Sequence, residues 1–188
     1  KLFPLYRLIY ALLLLLPLVV SPVQAGEPVE GEDYETISPP LLPTGSKPKI
    51  VEVFNFKCPH CYKFHPHFTA WLVKNQTRYD ISSLPVYWGE QSDTPVRAYY
   101  AAEFLGQREA MKEAIFKAHF DNGVNIESAE ELAFTAEEAY LDPEKFQKQM
   151  RSFGVAAKLA RGKTLQRAYG ANSTPVLVVN GSYKVCFT

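Results

Sequence analysis

Cys58 and Cys61 stand three residues apart in Cys58-Pro59-His60-Cys61. Two thiols at that spacing can close a small disulfide ring that opens and shuts without rearranging a fold. The residues before the pair read as a strand and those after it as a helix, so Cys58 falls at a helix start. There the unpaired backbone N–H groups and the helix macrodipole stabilise negative charge on sulfur, and a protonated His60 adds to the effect. A stabilised thiolate favours the reduced pair, so the disulfide becomes an oxidant able to pass its bond to another protein. Two other uses of the cysteines fit less well. His60, His65 and His67 are zinc-ligand types, but a structural zinc site needs a second ligand pair and none follows downstream, so no metal is expected. A static disulfide across so short a loop gains little from closure.

The elements that must hold this pair are legible on both sides of it. Lys49 to Phe56 (KIVEVFNF) is an almost unbroken apolar run, expected of a central strand buried on both faces and interrupted by Glu52. Beyond Cys58, the residues Cys61, Phe64, Phe68, Trp71 and Leu72 recur at helical steps, which turns Cys61 toward the core. Pro66 inside that helix is expected to kink it. Ile81 to Trp88 reads as a second strand. Thr94 to Gly170 reads as helical, with a capping box at Ser128-x-x-Glu131, an N-cap with proline at Asp142-Pro143, and Gly170 as a stop. Pro175 to Val179 is a third strand, Asn180-Gly181 a type I′ turn, and Ser182 to Phe187 the returning strand. Residues 26–48, rich in Gly, Pro, Glu and Ser, read as an irregular arm. Cys186 reads as a plain strand residue on the Ser182/Lys184 side of the hairpin.

A chain of 188 residues with 47% hydrophobic content can bury one good core, so one globular unit is the default. Twenty basic residues balance twenty acidic ones, which leaves no basic stripe for a nucleic acid to follow. The first 25 residues differ from the rest. Lys1 and Arg7 flank an apolar run ending near Val20, followed by Val23-Gln24-Ala25, the pattern of a signal peptide cleaved after Ala25. Export is consistent with a persistent disulfide. The sequence begins at Lys1 with no initiator Met, so its N-terminus reads as incomplete.

Val51 to Tyr62 (VEVFNFKCPHCY), Thr174-Pro175 and the segment Val179 to Tyr183 together resemble the bacterial DsbA family of thiol:disulfide interchange proteins, over about Lys47 to Val185. The resemblance implies an α/β thioredoxin fold with an inserted helical domain. A βαβ half would occupy residues 49–94, the insertion 95–170, and a β-hairpin 171–188. The family's closing C-terminal helix would be missing, because the sequence stops after the hairpin. The resemblance also implies that Cys58 is the exposed nucleophile and Cys61 its buried partner, that Pro59 and His60 tune the potential, and that Glu52 helps move protons. Thr174-Pro175 would be a cis bond against the active site, with Thr174 influencing substrate contact. No cofactor is implied beyond the disulfide itself. The implied substrates are reduced secreted proteins in the periplasm, with a membrane reoxidase of the DsbB type as partner and a monomer as the working form. The same pair would serve a disulfide isomerase or reductase, and a permanently bonded pair would leave a redox-inactive periplasmic chaperone or binding module.

Overall fold

The computed structural model describes residues 26–187; the signal-peptide reading of residues 1–25 lies outside them. Lys49–Phe54 forms β2, and every residue from Ile50 onward in it is buried. It pairs in parallel with β3 (Asp80–Pro85) and antiparallel with β4 (Val176–Val179), which makes it the interior strand that its apolar run predicts. β4 turns into β5 (Tyr183–Cys186) through Asn180 and Gly181, both at positive φ, as a type I′ turn demands. β3 is shorter than its predicted span. It ends at Pro85 because the chain then leaves the sheet edge toward the first inserted helix.

The arm departs from the irregular reading. Glu35–Thr36 forms β1, a two-residue edge strand antiparallel to β5, so the sheet order is β1-β5-β4-β2-β3. Further along, the arm is tied to the hairpin through Ile37 N to Ser182 O at 2.7 Å and Leu41 N to Gly181 O at 2.9 Å. These bonds satisfy carbonyl acceptors that the hairpin alone would leave open.

Helix α1 (Pro59–Asn75) runs from the cysteine pair down one face of the sheet and continues through Pro66. Its buried positions are Cys61, His65 and Phe68. The predicted face is thus corrected at two points: Trp71 is exposed, and the polar His65 occupies the core position one turn below Cys61. Five further helices fill the span between β3 and β4: α2 (Thr94–Phe104), α3 (Arg108–Phe120), α4 (Ala129–Glu138), α5 (Pro143–Met150) and α6 (Phe153–Ala168). Their caps follow the sequence, with Ser128, Asp142 and Ser152 side chains each accepting a first-turn N–H. The capping box at Ser128 is half formed, since Glu131 accepts from Asn125 N instead of reaching back to Ser128. Gly162 lets α6 lie close to α2; a Cβ there would stand 3.1 Å from the Tyr100 hydroxyl.

Alternation along β2 divides the interior in two. Val51 and Val53 face a core with Leu84, Val176, Val178 and Tyr169. Phe54 and Phe56 face a larger one shared with Cys61, Tyr99, Ile115, Phe116 and Phe146, in which the inserted helices and the active-site helix meet. Glu52 lies on the Phe54 side by the same alternation.

Candidate active site

The turn between β2 and α1 is built on Asn55, which is buried. Its amide donates to Val86 O and Gln91 Oε1 at 3.1 and 2.7 Å, its side-chain oxygen accepts from Lys57 N at 2.7 Å, and its backbone carbonyl accepts from Cys58 N at 3.1 Å. Cys58 is thereby held in an extended conformation as the helix N-cap, its sulfur accepting from Cys61 N at 3.4 Å. Pro59 follows at the first helical position, where a missing N–H costs nothing. Pro59 and His60 are exposed, Cys58 is half-buried, and Cys61 is buried at 2% exposure. Burial pushes the Cys61 thiol up to about 12. Both thiols are free in this structure, and the Cys58 thiol donates to the Thr174 carbonyl at 3.3 Å. The Thr174–Pro175 bond is cis, with Pro175 buried and Thr174 half-buried. Six of the sequence-predicted residues, Cys58, Pro59, His60, Cys61, Thr174 and Pro175, therefore converge on one spot.

Glu52 is elsewhere in the same core and makes no hydrogen bond to either thiol. It is no strand-end carboxylate: at 1% exposure it is bonded through Oε2 to Lys112 Nζ at 2.6 Å and accepts from Ser83 Oγ at 2.7 Å. Lys112, on α3, is as deeply buried, and its ammonium also lies 4.2 Å from the centre of the Phe54 ring. Such a pair is tolerated in an apolar interior because each charge meets the other. Nearby in the same core, the Tyr99 hydroxyl is buried with no hydrogen-bond partner. His65 rests against Phe116, with burial first and the Lys112 charge second holding its imidazole down to about 4, so it is neutral at working pH.

The insertion also forms the rim of the site. Tyr62 donates to Asp121 at 2.6 Å and stacks on Phe120 at 4.8 Å, while Lys57 pairs with Glu127 at 3.1 Å. Cys186 is not part of this cluster; it stands opposite Val176 in the hairpin and packs on the second core. Among the described residues, no three His, Cys, Asp or Glu side chains gather in an arrangement that could hold a metal ion. Sequence reasoning missed Asn55, Lys112 and Ser83. Lys112 had a signal, since it lies four residues before Phe116 and beside Met111 and Ile115 on the apolar arc of α3.

The family model of the DSBA-like thioredoxin domain matches residues 72–187. That match begins beyond the cysteine pair, but whole-chain relatives take the pair in. The thiol:disulfide interchange protein DsbA of Burkholderia cepacia is 31% identical over 183 residues, covering 95% of this chain and 86% of its own. The protein of the same name from Pseudomonas aeruginosa strain PAO1 is 28% identical over 175 residues, covering 93% and 83%. Among solved structures, the oxidoreductase DsbA from Xylella fastidiosa superposes with a TM-score of 0.77 at 30% identity, over 85% of this chain and 88% of that one. Pseudomonas aeruginosa DsbA gives 0.77 at 27%, over 85% and 83%.

Proposed function

The chain belongs to the family of DSBA-like thioredoxin domains and is a thiol–disulfide oxidoreductase, and from that premise we propose that it donates its Cys58–Cys61 disulfide to reduced secreted proteins in the periplasm. The observation that carries this reading is the asymmetry of the pair: Cys58 is reachable at a helix N-terminus beside Thr174, and Cys61 is sealed beneath it.

A substrate thiolate attacks Cys58 Sγ; the S–S bond breaks and its electron pair goes to Cys61, which takes up a proton because its buried thiol holds one far above neutral pH. A second substrate thiolate then attacks the substrate sulfur of the mixed disulfide. The substrate leaves with its own disulfide, oxidised by two electrons, and Cys58 departs as the thiolate of the reduced pair. The helix N-terminus favours that leaving group, and exposed His60 adds positive charge when protonated. Pro59 and His60 are the tuning pair, and Thr174 and Pro175 form the wall against which substrate lies. The disulfide is the redox group and no other cofactor is invoked. A membrane reoxidase of the DsbB type would restore the disulfide, and the protein would work as a monomer. Export through the apolar leader fits an oxidising compartment.

The test is oxidation of a reduced, unfolded protein carrying paired cysteines. Wild-type oxidised protein is expected to transfer its disulfide, Cys58→Ala to be inactive, and Cys61→Ala to accumulate mixed disulfides on non-reducing gels. Undiminished oxidation by Cys58→Ala would overturn the assignment.

A further inference from the structure

We propose that the cleft between β2, β3 and α6 is a binding site for a small organic acid that carries one carboxylate on an apolar body. The cleft lies on the Val51 and Val53 face of β2, the reverse of the face that carries Phe54, Phe56 and Cys61, so the site is separate from the thiol chemistry.

The cleft holds about 250 Å³, and its floor is made by Val51, Leu84, Leu165 and Tyr169. Cavities that take small ligands run from roughly 300 to 1,000 Å³ and are apolar with a few placed polar groups. This one therefore suits a single compact molecule.

Charge around that floor is one-sided. Lys49 at the start of β2, Arg108 at the start of α3, and Lys158 and Arg161 on α6 all line the cleft, against one carboxylate, that of Glu103. Glu103 is already shared between Lys158 at 2.7 Å and Arg108 at 3.6 Å. Among the described residues, no carboxylate pairs with Lys49 or Arg161, and even Asp80, the register partner of Lys49, makes no ion pair with it. Two cations thus face the cleft without a counter-charge.

Two hydroxyls point to the same ligand. Tyr100 on α2 is 6% exposed and lines the cleft, and its hydroxyl stands 3.1 Å from where a Cβ of Gly162 would be. The bare backbone of Gly162 leaves that hydroxyl open to the cleft. It makes no hydrogen bond among the described residues, and a buried hydroxyl without a partner is costly. Ser82, opposite Val51 in the β2–β3 register and so on the same face, brings the second hydroxyl. An apolar body would cover the floor while its carboxylate accepts from these hydroxyls in the field of Lys49 and Arg161. A neutral apolar molecule leaves the cations unanswered, and an inorganic anion leaves the floor uncovered. No covalent bond is made or broken.

The experiment is titration of the isotope-labelled full protein with hydrocinnamate, followed by amide chemical shifts and calorimetry, with hydrocinnamyl alcohol and inorganic phosphate as comparisons. Hydrocinnamate is expected to give saturable shifts at Ser82, Gly162 and Leu165, with a Kd of about 1 mM or below at low salt. The alcohol and phosphate should each bind about tenfold more weakly or worse, because each lacks one half of the recognition. Tyr100→Phe should weaken hydrocinnamate roughly two- to tenfold, the worth of one hydrogen bond. Lys49→Gln combined with Arg161→Gln should weaken it about tenfold, as two part-exposed charges are lost together. Glutathione exchange of the cysteine pair should stay at the wild-type rate in all these variants. Absence of saturable shifts at the three amides, equal binding of the alcohol or of phosphate, or unaltered affinity in either the Tyr100 or the double variant would each overturn the site.

Discussion

At neutral pH the Cys61 thiol keeps its proton behind a wall of apolar side chains, while Cys58 lies where a reagent can reach it. Reduced protein treated briefly with iodoacetamide near neutral pH should therefore take up label on Cys58 well before Cys61, read by peptide mass mapping; equal labelling would contradict the burial asymmetry. His65 offers a second expectation. Its imidazole is held down to about 4, chiefly by burial and then by Lys112, with Glu109 and Glu113 acting weakly the other way. Because the unfolded chain binds that proton more readily than the folded one, stability is full above about pH 6.5 and falls as pH drops toward 4, by up to about 3 kcal/mol from this group. Urea titrations of His65→Gln should show that slope flattened over the same window; an unaltered slope would place the acid sensitivity elsewhere. The pairing of Cys58 with Cys61 is legible in sequence because their three-residue spacing is local. The part played by Asn55 is not, since its bonds to Val86 and Gln91 reach more than thirty residues away.

The elements are joined by one buried ion pair and one tight turn, and each makes a prediction. Glu52 on β2 and Lys112 on α3 weld the sheet to the insertion. Lys112→Met leaves a buried carboxylate without its counter-charge and should cost about 3–5 kcal/mol in denaturant unfolding. The double variant with Glu52→Leu should recover much of that loss, so that it is less destabilised than either single variant and a double-mutant cycle shows strong coupling; simple additivity would contradict the pairing. At the hairpin, Gly181 has φ +64, and a Cβ there would collide with the Leu41 carbonyl. Gly181→Ala should therefore loosen the arm, seen as faster amide exchange at Leu41 and Ile37. Asn180-Gly181 announces that turn in sequence, as Ser128 and Asp142 announce their helix starts, because turns and caps are local chemistry. The two-residue β1 is too short to show alternation, and the partner of Glu52 lies sixty residues away, so neither could be read before the chain was folded.

For the whole molecule, the insertion between β3 and β4 does more than enlarge the core. Its α3 helix supplies the counter-ion of Glu52, and its Asp121 and Glu127 hold the rim through Tyr62 and Lys57. Cys61 is thus packed in a core to which both the sheet and the insertion contribute. The order strand, helix, strand, helices, hairpin was legible because each segment carries its own periodicity; that the inserted helices share one core with Cys61 was not, because no local pattern encodes it. Whether the Cys58–Cys61 disulfide acts as a donor is decided by its reduction potential, taken by equilibrating the protein against glutathione and quantifying the two thiols by alkylation. A donor disulfide should have a potential well above that of the glutathione couple, each 30 mV or so of difference shifting the two-electron equilibrium about tenfold. A strongly reducing value, which would suit a reductase or isomerase, or a pair that never reduces, would contradict it.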